Sequence, residues 1–413
     1  MIWIIVGYMW LFLHRPFEVW PWMGTLRVER VYMITTLVLW LVFGGKQFTS
    51  NRINAAILLM ALAIFLSALL SPYTTPWDSE ATQNWFKLLA FYVLVMTVVK
   101  KESDLKIIVT GFLVCFFLYM LHSYYEYQFC GHYVYAMGTV RMIGIDQTMN
   151  NPNSFGASIV GHIPLLLPFF ILVRKNWHYL FIIAYFLLSV RCIQLTGSRS
   201  SFVGLGLLLA CSAVVSKRRL LFIPIILLAS VVVWSTLSDN LKDRYRSMWN
   251  PTINESATHS AQGRSKGFWD GLKNWQKSPL TGVGPEMHGK ATGEGFLSHQ
   301  LYGQVAGEMG TLGIIAYLWL VVCFFLNHRE AYRSYKRLEY YGYAKEGLYC
   351  FRVSLMTFAG TLILLYFGFG GHNAFRYNWV WFAALQATAV SLLEEKARRL
   401  AGLNHRFRDG VPQ

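Results

Sequence analysis

Long apolar runs separated by short connections rich in Lys and Arg dominate this sequence. About twelve of the runs approach the roughly 20 residues that a helix needs to cross the hydrocarbon core of a bilayer. Backbone N–H and C=O groups find no water there, so each crossing has to satisfy them internally as a helix. The runs predict spans over 1–14, 31–45, 53–71, 85–100, 105–127, 153–173, 178–197, 200–216, 219–237, 301–327, 350–369 and 374–394. The expected fold class is an all-α integral membrane protein with about twelve transmembrane helices, a single polytopic domain over 1–413. Composition agrees, because 55% of the residues are hydrophobic and only 14% charged, a charge content well below that of soluble domains. The first run lacks a basic start and a small-residue cleavage site, so it reads as a retained helix and not as a signal peptide.

The net charge of +16 does not point to nucleic acid. The cations sit in short clusters between apolar runs and not along one folded face, which fits anionic lipid headgroups. Their distribution orients the chain. One set of connections carries Lys46, Arg52, Lys100, Lys101, Lys106, Arg174, Lys175, Lys217, Arg218 and Arg219, then Arg329, Arg333, Lys336, Arg337 and Lys345, and finally the tail. That is about 20 cations against about eight on the other side, so both termini are expected in the cytoplasm. The outer side then holds one large loop, 238–300, between the ninth and tenth helices. Loops of that length are usually functional. Within it, 263–275 has helical periodicity, with Phe268, Trp269, Leu272 and Trp275 forming an apolar stripe suited to lying on the membrane surface as a lid.

The six cysteines show no CxxC or Cys/His spacing, and the chain has no Walker loop, no dinucleotide fingerprint, no HExxH and no outer DxD pair. No cofactor and no metal is therefore expected. What remains are polar groups where lipid disfavours them, each a functional candidate. Arg191 lies about 20 Å into the seventh helix, in the outer leaflet. Arg199 follows in Thr196-Gly197-Ser198-Arg199-Ser200-Ser201, where a new helix N-terminus adds free N–H groups and partial positive charge. Either arginine serves an anion site or snorkels to headgroups.

The large loop supplies Arg264, Trp269, Trp275, the pair Gly282 and Gly284, and His299 at the start of the tenth helix. His299 is placed to take a proton from a hydroxyl or to anchor by hydrogen bonding. Glu308 is nine residues further, on the opposite face of a regular helix and about 13 Å along it. It reads as a buried packing partner for an arginine or hydroxyl among Gly303, Gly307, Gly310 and Gly313. Asn151-Pro152 reads as a helix cap, and His372 with Arg376 as possible lining of the same outer cavity.

The order Arg, Trp, Pro, Gly-x-Gly, His, Glu, Gly-x-x-Gly between Arg264 and Gly313 resembles the signature of the O-antigen ligase and polymerase superfamily of bacterial membrane glycosyltransferases. Ser198-Arg199, Asn151-Pro152-Asn153, the helix count and the single large outer loop agree with it. The resemblance implies transfer of a glycan from an undecaprenyl-diphosphate carrier to an acceptor hydroxyl, such as that of lipid A-core, on the periplasmic face of the inner membrane. It further implies that the reaction needs no nucleotide or metal and inverts the anomeric centre. By the same resemblance, Arg199 and Arg264, with Arg191 beside them, hold the diphosphate, and His299 is the base. Glu308, Gly282 and Gly284 would support that site, while Trp269 and Trp275 either stack on sugars or anchor the loop. Relatives often have Asn directly after the histidine where this chain has Gln300, which leaves His372, in the pair His372-Asn373, as the alternative base. An O-antigen or exopolysaccharide polymerase on the same carrier is the second reading. A polysaccharide transporter or flippase is the third, and the chain lacks the paired broken segments usual in such proteins.

Overall fold

The computed structural model describes residues 1–45, 47–136, 138–173, 175–215, 219–247, 250, 256–295 and 298–408. The chain runs through α1 (Ile2–His14), two short turns α2 (Pro16–Val19) and α3 (Pro21–Thr25), then α4 (Val28–Phe43), α5 (Arg52–Leu69), α6 (Glu80–Val98) and α7 (Glu102–Tyr125). An antiparallel hairpin follows, β1 (Tyr133–Ala136) and β2 (Thr139–Met142), with Tyr133 opposite Met142. Next come α8 (Pro152–His162), α9 (Leu166–Phe169), α10 (Asn176–Thr196), α11 (Arg199–Val215) and α12 (Arg219–Ser235). The large loop holds α13 (Asp239–Arg246), α14 (Ser256–Lys277) and α15 (His288–Thr292). The long helices α16 (Leu301–Tyr340), α17 (Ala344–Gly368) and α18 (Tyr377–Arg408) complete the chain.

Helix covers all or most of each of the twelve expected segments. Among the described residues, five helical stretches are long and apolar enough to cross a membrane: Arg52–Leu69, Glu102–Cys130, Asn176–Thr196, Leu301–Tyr340 and Ala344–Gly368. Ile2–His14, Arg199–Val214 and Ile226–Ser235 are apolar but shorter. The expected continuous helix over 153–173 is corrected. It stops at His162, passes through a 3-10 turn Ile163–Leu165 and restarts as α9. Pro164 and Pro168 remove amide donors from this stretch and their rings crowd the preceding turn, which favours a break over a continuous α-helix. Of the cations that oriented the chain, Lys46, Arg174, Lys217 and Arg218 lie outside the described residues.

Helix α18 is the axis of the core. Trp379, Trp381 and Phe382 are buried, and Trp381 stacks on Phe91 at 4.5 Å between ring centroids. The loop helix α14 also packs inward, along the first turns of α16, and not with the stripe expected from the sequence. Its buried face is Gly267, Asp270, Gly271 and Asn274, whereas Trp269 is 58% exposed. Glycine spacing explains the choice. Gly267 and Gly271 meet Gly303 and Gly307, and a Cβ on Gly307 would fall 2.8 Å from the Gly271 carbonyl oxygen. Small residues four apart let two backbones approach closely, a gain that outweighs the hydrophobic stripe.

A second close approach shapes α16. Gly310 has φ 64 and ψ −160, so the helix breaks there. In a regular helix the amides of Thr311 and Leu312 would bond the carbonyls of Gly307 and Glu308. Here the loop segment 279–284 enters the break and replaces both bonds. Val283 and Gly284 donate to Gly307 and Glu308 at 2.9 and 3.0 Å, while Thr311 and Leu312 donate to Pro279 and Leu280 at 2.8 and 3.1 Å. The Gly-x-Gly motif is thus a strap threaded through a helix.

Candidate functional site

Four connections converge on one cavity of about 440 Å³. They are the β-hairpin with the Asn150–Ser154 cap, the α10–α11 turn, the large loop, and the segment between α17 and α18. In the topology expected from loop charge all four fall on the outer side.

Each side chain in the lining is fixed by local structure. Asn151 caps α8 by accepting from the Asn153 amide at 2.9 Å, with Pro152 at the first helical position; this is the cap expected from the sequence. The capped turn places Asn153 and Ser154 on the cavity wall. Opposite, α10 ends on Gly197 in the left-handed region, and the next residues begin α11, where Ser200 reaches the cavity. Gly156 of α8 packs against this turn, since a Cβ there would lie 2.5 Å from Ser201 Oγ. Two helix N-termini therefore face the same space.

The lining carries Arg141, Arg264, Arg376, His299 and His372, and among the described lining residues there is no Asp or Glu. Arg264 rises from α14, with its guanidinium 3.1 Å from where a Cβ on Gly370 would be. Arg376 donates to the Thr148 carbonyl at 2.8 Å and to Ser154 Oγ at 3.0 Å. His299 and His372 sit side by side, ring centroids 5.7 Å apart. The pKa of His299 is lowered by desolvation and then by the neighbouring Arg264. That of His372 falls further, to about 3, through burial, then Arg376, then His299. Both rings are thereby held neutral at neutral pH, but His372 is far too weak a base to accept a proton readily, which favours His299 of the two.

Other expected residues lie elsewhere. Arg199 flanks the cavity next to Ser200 and donates to Ser247 Oγ at 3.3 Å. Arg191 does not reach the cavity. It turns to Gln194 Oε1 at 3.5 Å on its own helix, because depth along a helix does not fix the face. Trp269 points outward and Trp275 donates to Thr311 Oγ1 at 3.1 Å, so neither lines the cavity. Glu308 is fully buried, and its carboxylate meets the Glu286 amide at 3.0 Å and Gln304 Nε2 at 3.2 Å, where an arginine or hydroxyl had been expected. The same Gln304 accepts from the Ala374 amide at 3.3 Å, tying Glu308 to the segment that carries His372. Gly282 and Gly284 form the strap against Glu308.

The sequence reading passed over Arg141. Only 3% exposed, it reaches from β2 to donate to the Thr196 carbonyl at 2.8 Å and to Asn153 Oδ1 at 3.0 Å. Its pKa is pushed down to about 9 by burial, then by Arg244 and, more weakly, Arg199. It remains charged at neutral pH.

An apolar helical assembly thus carries a cavity lined by arginines and histidines, with no acidic side chain among the described lining residues. Residues 183–318 match the family model for O-antigen ligase, which bears out the resemblance to that superfamily of membrane glycosyltransferases. No curated protein matches the sequence. The matched segment contains Arg199, Arg264, His299 and the strap; Arg141, the Asn150–Ser154 cap, His372 and Arg376 lie outside it.

Proposed function

We propose that this protein transfers a glycan from an undecaprenyl-diphosphate carrier to an acceptor hydroxyl, that of lipid A-core in the ligase reading, on the periplasmic face of the inner membrane. The observation that carries the reading is the acid-free cavity in which guanidinium groups stand beside neutral His299. In this scheme all twelve helical segments cross the bilayer and the cavity opens at its outer surface. His299 takes the acceptor proton as the hydroxyl oxygen attacks the anomeric carbon. The bond from that carbon to the diphosphate oxygen breaks, and the lipid diphosphate leaves with the electron pair. Negative charge grows on the leaving group, where Arg264, supported by Arg199, is preorganised to stabilise it. A single displacement inverts the anomeric configuration.

The test is transfer by purified protein from a polyprenyl-diphosphate-linked glycan in detergent. Arg264→Gln is expected to lower kcat by about a hundredfold, the usual loss for one transition-state charge partner. One transferred glycan per acceptor marks a ligase, whereas a ladder of products marks a polymerase on the same carrier. An Arg264→Gln variant as active as wild type would overturn the site, and absence of transfer to any acceptor would favour a transporter.

A further inference from the structure

Arg141 stands in an electrostatic setting that its own hydrogen bonds do not balance. Its partners are the carbonyl that ends α10 and a neutral amide. Arg244 takes the neighbouring carbonyl of Gly197 at 2.6 Å, so two guanidiniums cap one helix end. A helix C-terminus offers only about half a negative charge, less than the full positive charge of Arg141. Arg199 adds a third cation close by, and the N-termini of α8 and α11 add partial positive charge. No carboxylate forms an ion pair with Arg141 or Arg199 among the described residues.

A buried cation that no described carboxylate pairs is costly to keep. Two neutral bonds leave three of the five guanidinium N–H groups of Arg141 unused, and the side chain lines the cavity. Resting on the glycosyl-transfer reading, we propose that Arg141 is a third arginine of the diphosphate site, presenting its unused N–H groups to phosphoryl oxygens. The Thr196 carbonyl and the capped Asn153 hold the guanidinium plane in place beforehand. The ligand class is an isoprenoid diphosphate. The β-hairpin then has a role in the site, because it delivers this arginine from outside the segment that matches the O-antigen ligase family.

The experiment is titration of the full-length protein with farnesyl diphosphate in phosphatidylcholine nanodiscs, followed by calorimetry and thermal unfolding. Arg141→Gln is expected to weaken binding about tenfold or more, the scale of one lost charge-assisted bond. Arg141→Lys keeps the charge but not the planar fork and should fall between. Arg246→Gln, at an exposed arginine on α13 that pairs with Asp243, should bind as wild type. Unchanged affinity in folded Arg141→Gln would overturn the proposal. If that variant does not fold, wild-type affinity in Arg141→Lys would do so. Loss of the Arg141 dependence when phosphatidylglycerol is included would reassign the side chain to a lipid headgroup and likewise overturn it. Wild type that binds farnesyl diphosphate through Arg141 but transfers no glycan would remove the glycosyl-transfer reading while leaving the diphosphate site standing.

Discussion

Replacing His299 with alanine is expected to lower glycan transfer by about 10²- to 10⁴-fold, the span ascribed to a positioned general base. Binding of an isoprenoid diphosphate should change little, because in the proposed site the arginines hold the anion. The pH profile gives a second signature. A base works only when deprotonated, so the rate should fall with pH as the imidazole gains its proton. Desolvation and Arg264 place that limb below the ordinary histidine value of 6.5. Removing the Arg264 charge takes away one of the two depressing causes, so the acid limb of Arg264→Gln should move to higher pH. His372→Ala should not remove the limb, because its pKa of about 3 keeps it neutral throughout the working range. A limb that survives in His299→Ala and vanishes in His372→Ala would reverse the assignment of the base.

The helices were legible because lipid imposes one solution on an apolar run of about 20 residues. What the runs concealed was interruption and direction. Pro164 and Pro168 cut one segment despite its hydropathy, and Arg191 shares the depth expected of a site residue but turns to Gln194. The stripe on α14 misled for a related reason: glycines carry no hydrophobic signal, yet Gly267 and Gly271 select the packed face by allowing close approach. The motif residues Arg264 and His299 were visible as unusual polar groups at the outer end and do line the cavity. Arg141 was not, since it sits on a four-residue strand in a loop without periodicity. Only the fold shows that it meets Thr196 across 55 positions. The signal available was an arginine ten residues before a proline-started helix cap on the outer side, where loop cations are sparse.

Gly310→Ala should be the most damaging single substitution in the supporting structure, with a loss of about 3 kcal/mol or more, from backbone strain and overlap together. At φ 64 and ψ −160 the backbone lies in a region that is essentially restricted to glycine. A Cβ there would also sit 2.5 Å from the Leu280 carbonyl carbon and 2.6 Å from the Gly282 amide, inside the strap that replaces the two missing helix bonds. Gly342 separates the two causes. Its φ is 84, but a Cβ there meets nothing within 4 Å, so Gly342→Ala should lose only about 1 to 2 kcal/mol. The measurement is thermal unfolding in detergent for both variants beside wild type. The larger loss in Gly310→Ala reflects the four hydrogen bonds of the strap, whose backbone donors and acceptors are each expensive to leave unpaired in an apolar setting. The effect should carry into the site, because Glu308 and Gln304 lie just before the break and Gln304 holds the Ala374 amide next to His372 and Asn373. Equal losses in the two variants would mean that the strap contributes nothing beyond the strain of one glycine.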